Sequence, residues 1–202
     1  LIITRMQDAV TKRDSVTLAL VQSFKSSLGT LSDDDIEINV EKGVVYVSIS
    51  DKLLFNSGSF TVTTRARGVL EKIAKVISDK PDLEFMVEGH TDNMPIDQEK
   101  AAETIPGVVD TWDLSVKRAT SVVRILQNSY GVDPTKLVAA GRSFYMPIAD
   151  NDSSVTRAVN RRTRIVVLPK LDQFTKLIEE GMSMNVPATG PSDTISSDNK
   201  PD

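Results

Sequence analysis

Apolar residues along this chain recur with two different periods, and the changes from one period to the other divide it into elements. Ile36-Glu37-Ile38-Asn39-Val40 and Val44-Val45-Tyr46-Val47-Ser48-Ile49 alternate in strand fashion on either side of Glu41-Lys42-Gly43, a short glycine-containing connection that predicts a hairpin. The spacing changes to three and four at Val69, Leu70, Ile73, Ala74 and Ile77, which predicts a helix over 64–78 with one stripe to lay on a sheet. Leu83-Glu84-Phe85-Met86-Val87 alternates again, so Asp92 is expected just past a strand end, where side chains project freely. Ser115 reads as the start of a second long helix, with Ala119, Val122, Val123, Leu126 and Tyr130 on its stripe and Arg118 in its first turn, facing a loop pocket. Gly131-Val132-Asp133-Pro134 breaks the chain, Leu137-Val138-Ala139-Ala140 supplies a short strand, and Arg164-Ile165-Val166-Val167-Leu168 supplies the last one. Strands alternating with helices predict α/β layers.

The two ends read differently. Met6, Val10, Leu20, Phe24 and Leu28 keep a helical spacing that Lys12-Arg13-Asp14-Ser15 interrupts, which predicts a broken or bent helix over 1–31. That helix either packs on the domain or ends an upstream coiled-coil stalk. The domain itself is expected over 32–169. Leu171, Phe174, Leu177 and Ile178 predict a short helix within 170–184, and the Pro-, Ser-, Thr- and Asp-rich remainder, 185–202, reads as a disordered tail.

Composition narrows the function classes. With 202 residues, 40% apolar and 26% charged, the chain falls within ordinary globular usage. No run approaches the roughly 18 to 20 apolar residues that a membrane helix needs. The chain begins at Leu1 rather than methionine, which reads as a fragment from which an export signal or membrane anchor has been removed. A formal charge of -4 argues against nucleic acid as a partner, because such binding needs a basic surface to neutralise phosphates. The absence of cysteine removes thiol chemistry, and no glycine-rich phosphate loop calls for a nucleotide, so no cofactor is expected.

Candidate chemistry concentrates in Glu88-Gly89-His90-Thr91-Asp92-Asn93, Leu114-Ser115-Val116-Lys117-Arg118-Ala119 and Asn160-Arg161-Arg162. Together they join one acid to several guanidiniums, a set suited to a zwitterionic ligand: a carboxylate takes an ammonium, and a planar guanidinium takes a carboxylate. The bland alternative is a plain salt bridge between Asp92 and Arg118. Strand alternation would send Arg161 and Arg162 to opposite faces, one toward the pocket and one outward, with Arg162 and Arg164 reading as a solvated basic face. Thr91 and Asn93 flank the acid and either orient it or serve the turn, and Asn160 either meets ligand or fixes a turn. His90, the only histidine, reads as a buried structural residue rather than a metal ligand, since no second histidine or cysteine exists to complete a zinc site. No pair of acids stands out for hydrolysis.

These three segments, with Leu54-Phe55-Asn56-Ser57-Gly58-Ser59 before them and Pro147-Ile148-Ala149-Asp150-Asn151 ahead of the arginines, resemble the OmpA-like peptidoglycan-binding domain family. The resemblance runs from about Val44 to Leu168 and covers neither end. It implies a two-layer sandwich, a mixed β-sheet covered by helices, with the N-terminal helix added. It also implies non-catalytic binding of the diaminopimelate in the peptidoglycan stem peptide, with Asp92 on its ammonium, Arg118 on its carboxylate and Arg161 facing the pocket. Thr91, Asn93, Asn160 and Thr111 complete the expected ligand-binding set, Thr111 standing where many outer-membrane members carry asparagine. Asn93-Met94-Pro95-Ile96 and Trp112-Asp113-Leu114-Ser115 look more like the motor-stator, MotB-like branch, with Trp112 either packing under the loop from Asp97 to Asp110, the favoured reading, or contacting glycan. The implied place is the periplasm, tethered to the outer membrane or, alternatively, to the inner membrane. Two readings stay open: a wall tether and a stator subunit of an ion-driven motor. A wall hydrolase is a third class without a named centre, and a homodimer is left open.

Overall fold

The computed structural model describes residues 2–29, 35–56 and 58–169. The short helix and tail expected after residue 169 lie outside them. Five strands form one sheet in the order β1-β2-β5-β3-β4, where β1 is Ile36–Glu41, β2 Val44–Ser50, β3 Leu83–His90, β4 Leu137–Gly141 and β5 Arg162–Pro169. All pairs are antiparallel except β3 with β4, so the sheet is mixed. The hairpin closes through Lys42 and Gly43 alone, both at positive φ (52° and 80°), the mirror-image turn that suits strand twist.

One face carries Val45, Val47, Ile49, Phe85, Val87, Ile165 and Val167, all buried beneath three helices: α1 (Ile2–Leu28), α3 (Thr64–Ser78) and α5 (Thr111–Tyr130). Between β2 and α3 lies α2, the single turn Asp51–Leu54; α4 spans Gln98–Thr104 and α6 spans Ser154–Asn160. This is the two-layer α/β arrangement that the residue pattern and the family resemblance imply.

Helix α1 runs without a break through Lys12-Arg13-Asp14-Ser15, so of the broken or bent helix expected there the break does not occur. None of these residues is glycine or proline, and Ser15 donates back to the Thr11 carbonyl, so polar character alone does not end a helix. Its C-terminal half packs on the domain through Leu20, Phe24 and Leu28.

Helix α5 begins at Thr111 rather than at Ser115. Asp110 caps it by accepting from the Asp113 amide, and Gly131 closes it in a left-handed conformation, φ 67°. Ser115 therefore lies one turn inside the helix, fully buried, and Arg118 sits beyond the first turn.

Candidate functional site

The site is assembled where β2, β3, α5 and the start of β5 converge. Asp92 follows β3 as expected, and its carboxylate is shaped locally by accepting from the Met94 amide at 3.1 Å. Its other oxygen meets Arg161 Nη1 at 2.5 Å. Arg161 is the residue that ends α6 and precedes β5, so a helix cap rather than strand alternation aims it.

Arg118 does not pair with Asp92. It projects from α5 onto Asp51, the first residue of α2, with Nη1 2.7 Å from Asp51 Oδ2, while Nε donates to the Ser59 carbonyl at 3.1 Å. The Phe55 ring lies 5.3 Å from its Cζ. This inner pair is nearly sealed from water, Arg118 at 5% exposure and Asp51 at 8%. The outer pair is more open, with the Arg161 side chain 36% exposed. Two acids and two guanidiniums thus form one charge-balanced cluster. Burial pushes the Asp51 carboxyl up, against the pull of Arg118 and Arg161, and Asp92 adds to the rise. Burial likewise draws the Arg118 guanidinium down, against Asp51 and Asp92. Both partners report desolvation outweighing attraction, the usual state of a buried ion pair.

The remaining predicted residues are placed unequally. Thr91 is buried beside Asp92; its amide donates to the Ser143 carbonyl, and its hydroxyl has no partner among the described residues. Asn93 is exposed at the bend. Thr111 is buried, its hydroxyl 2.6 Å from that of Ser143, so it braces the turn after β4. Asn160, at 0% exposure, accepts from the amides of Ile148 and Ala149 and donates to the Ala149 carbonyl and to Asn151 Oδ1. It fixes the loop before α6, the turn-holding role rather than a surface one.

Arg162 and Arg164 are not a solvated face. Pairing in register with His90 and Glu88, they are buried on the side of the sheet opposite the helices. Arg162 donates to the carbonyls of Asn160 and Met146, and Arg164 lies 3.9 Å over the Tyr46 ring. Burial lowers the Arg162 guanidinium to about 10, with Arg164 adding to the fall. His90 Nε2 is 2.9 Å from Glu88 Oε1, and Arg142 Nε donates to Glu88 Oε2 at 2.7 Å. Burial alone would raise Glu88; these two partners overcome it and hold the carboxyl at about 2. Burial keeps His90 below its ordinary value, hence neutral near pH 7. Trp112 is half exposed and stacks on Tyr145, ring centroids 5.5 Å apart.

Sequence reasoning missed Asp51, Ser59 and Ser143. Asp51 carries a faint signal, an acid closing an alternating apolar strand, but nothing local shows that Arg118 will arrive from α5.

Residues 54–161 match the OmpA family, and the chain belongs to it. Among relatives, Motility protein B of Bacillus subtilis is 27% identical over 138 residues, 68% of this chain and 50% of its own length. Outer membrane protein Omp38 of Acinetobacter baumannii is 29% identical over 137 residues, 68% of this chain and 35% of its own. The chain thus spans half or less of these relatives. Among solved structures, the cell wall anchor of the T6SS from Pseudomonas aeruginosa superposes with a TM-score of 0.61 at 29% identity, covering 73% of this chain and 97% of that one.

Proposed function

We propose that this domain binds peptidoglycan without catalysis, through the diaminopimelate of the stem peptide, and so tethers an envelope protein to the cell wall. The observation that carries the reading is the charge-balanced cluster of Asp51, Asp92, Arg118 and Arg161, in which each guanidinium is held by an acid. A ligand with an ammonium and a carboxylate on one carbon can exchange into such a set with no change in net charge. Its ammonium takes the place of Arg161 on Asp92, and its carboxylate meets Arg118 and the Arg161 so released. Asn93 and Thr91 border the point of entry, while Asn160 and Thr111 hold the loops that frame it. Membership of the OmpA family and likeness to a cell wall anchor support the same reading.

The place that follows is the periplasmic side of the envelope, with a membrane anchor supplied by sequence outside this chain. Similarity to Motility protein B favours a second reading, in which the same site anchors a motor stator. An upstream membrane helix bearing an intramembrane acid would select the stator, and a lipidated leader the plain tether.

Retention on purified wall tests the binding. The chain should pull down with diaminopimelate-type peptidoglycan and poorly with lysine-type wall, because lysine lacks the distal carboxylate. Equal retention on both would remove the ligand assignment, and release of soluble fragments from the wall would replace binding with hydrolysis.

A further inference from the structure

We propose that Asp51 is the positioning and specificity-determining residue of this site: it holds the Arg118 guanidinium so that its free edge meets the distal carboxylate of diaminopimelate. The assignment rests on the ligand reading above.

Arg118 emerges from the middle of α5, a long and flexible side chain whose planar fork is selective only if its plane is fixed. Ser59 fixes Nε and Asp51 fixes Nη1. Phe55 backs the group from one side. Nη2 is left as the guanidinium nitrogen with no partner among the described residues. The edge offered to a ligand is therefore set by where Asp51 sits.

Asp51 is itself tied to the second arginine. Its amide donates to the Arg161 carbonyl at 3.1 Å, so the residue that orients Arg118 by its side chain is anchored by its main chain to the partner of Asp92. Both halves of the zwitterion site are thus referenced to one residue. Its second oxygen, Oδ1, is buried with no hydrogen-bond partner among the described residues. A pair arranged only for stability would satisfy that oxygen or be replaced by packed apolar groups. A pair arranged to aim a guanidinium needs only the contact that Asp51 makes.

The test compares binding of two synthetic stem peptides, one with diaminopimelate and one with lysine at the third position, by calorimetric titration of folded protein. Asp51→Asn keeps the shape and removes the charge. It should weaken the diaminopimelate peptide by about 10- to 100-fold, the loss seen when an orienting carboxylate behind a binding group is removed at metal sites. The lysine peptide, which cannot use Arg118 in this way, should change little, so discrimination between the peptides collapses. If Asp51→Asn does not fold, Asp51→Glu, which keeps the charge but displaces it by one methylene, should fold and show reduced discrimination. A variant that melts earlier yet discriminates as well as the parent would show Asp51 to be structural only. A parent chain that binds both peptides alike overturns the ligand reading itself, and this assignment with it.

Discussion

Gly89 on β3 and Ser115 on α5 meet backbone to backbone: a methyl group at Gly89 would lie 2.1 Å from the Ser115 carbonyl oxygen. The helix that carries Arg118 rests at this point on the strand that leads into Asp92. Gly89→Ala should cost about 3 kcal/mol, the upper part of the range for overpacking, because backbone rather than a flexible side chain must give way. Urea unfolding of the variant checks this. A loss below about 0.5 kcal/mol would mean that the two elements can separate freely.

Glu88 should govern acid stability. Its carboxyl is held at about 2 against an ordinary 4.5, so the folded state gives up its proton more readily than the unfolded chain does. The stability gained is fully present above about pH 4.5 and is lost as pH falls toward 2. With Arg142 half exposed and partly screened, the gain is about 2 to 3 kcal/mol. Unfolding free energies of the parent and Glu88→Gln should therefore differ at pH 7 and converge near pH 2. A constant difference across that span would place the effect in packing instead.

Much of this fold is written in local periods. The Lys42-Gly43 turn, the stripe on α3 and the strand running to His90 all follow from neighbours in sequence, and the structure has each of them. What sequence did not show depends on contacts between distant segments. The pairing of Arg118 with Asp51 instead of Asp92 requires α5 and α2 to be packed first. The burial of Arg162 and Arg164 arises because β5 lies between β2 and β3: Arg164 lies over Tyr46 of β2 and opposite Glu88 of β3, and Arg162 lies opposite His90. Ser115 looked like a cap because serine commonly is one, yet Asp110 caps the helix and Ser115 serves the turn at Ser143.

Asn160 should matter to stability and, through Arg161, to binding. Its amide is fully engaged inside the chain, so Asn160→Ala strands two part-buried amides and a carbonyl, at a cost of about 1 to 2 kcal/mol. Hydrogen exchange at Ile148 and Ala149 should accelerate in the variant. Unchanged protection there would show that other contacts hold the loop.

The inner and outer pairs should answer differently to mutation. Asp92→Asn breaks the outer pair, whose arginine reaches water, so the melting temperature should fall little. Arg118→Ala strips the counter-ion from buried Asp51 and should cost about 3 to 5 kcal/mol of stability, the penalty for an uncompensated buried charge. Removing the second charge as well, in Asp51→Asn with Arg118→Ala, should restore part of that loss, since no ion is then stranded. Both single variants should weaken stem-peptide binding by about 2 to 5 kcal/mol once folded protein is counted. Thermal melts beside calorimetric titration separate the two effects. If Asp92→Asn binds the peptide like the parent chain, the outer pair is an ordinary surface salt bridge and the ammonium site lies elsewhere.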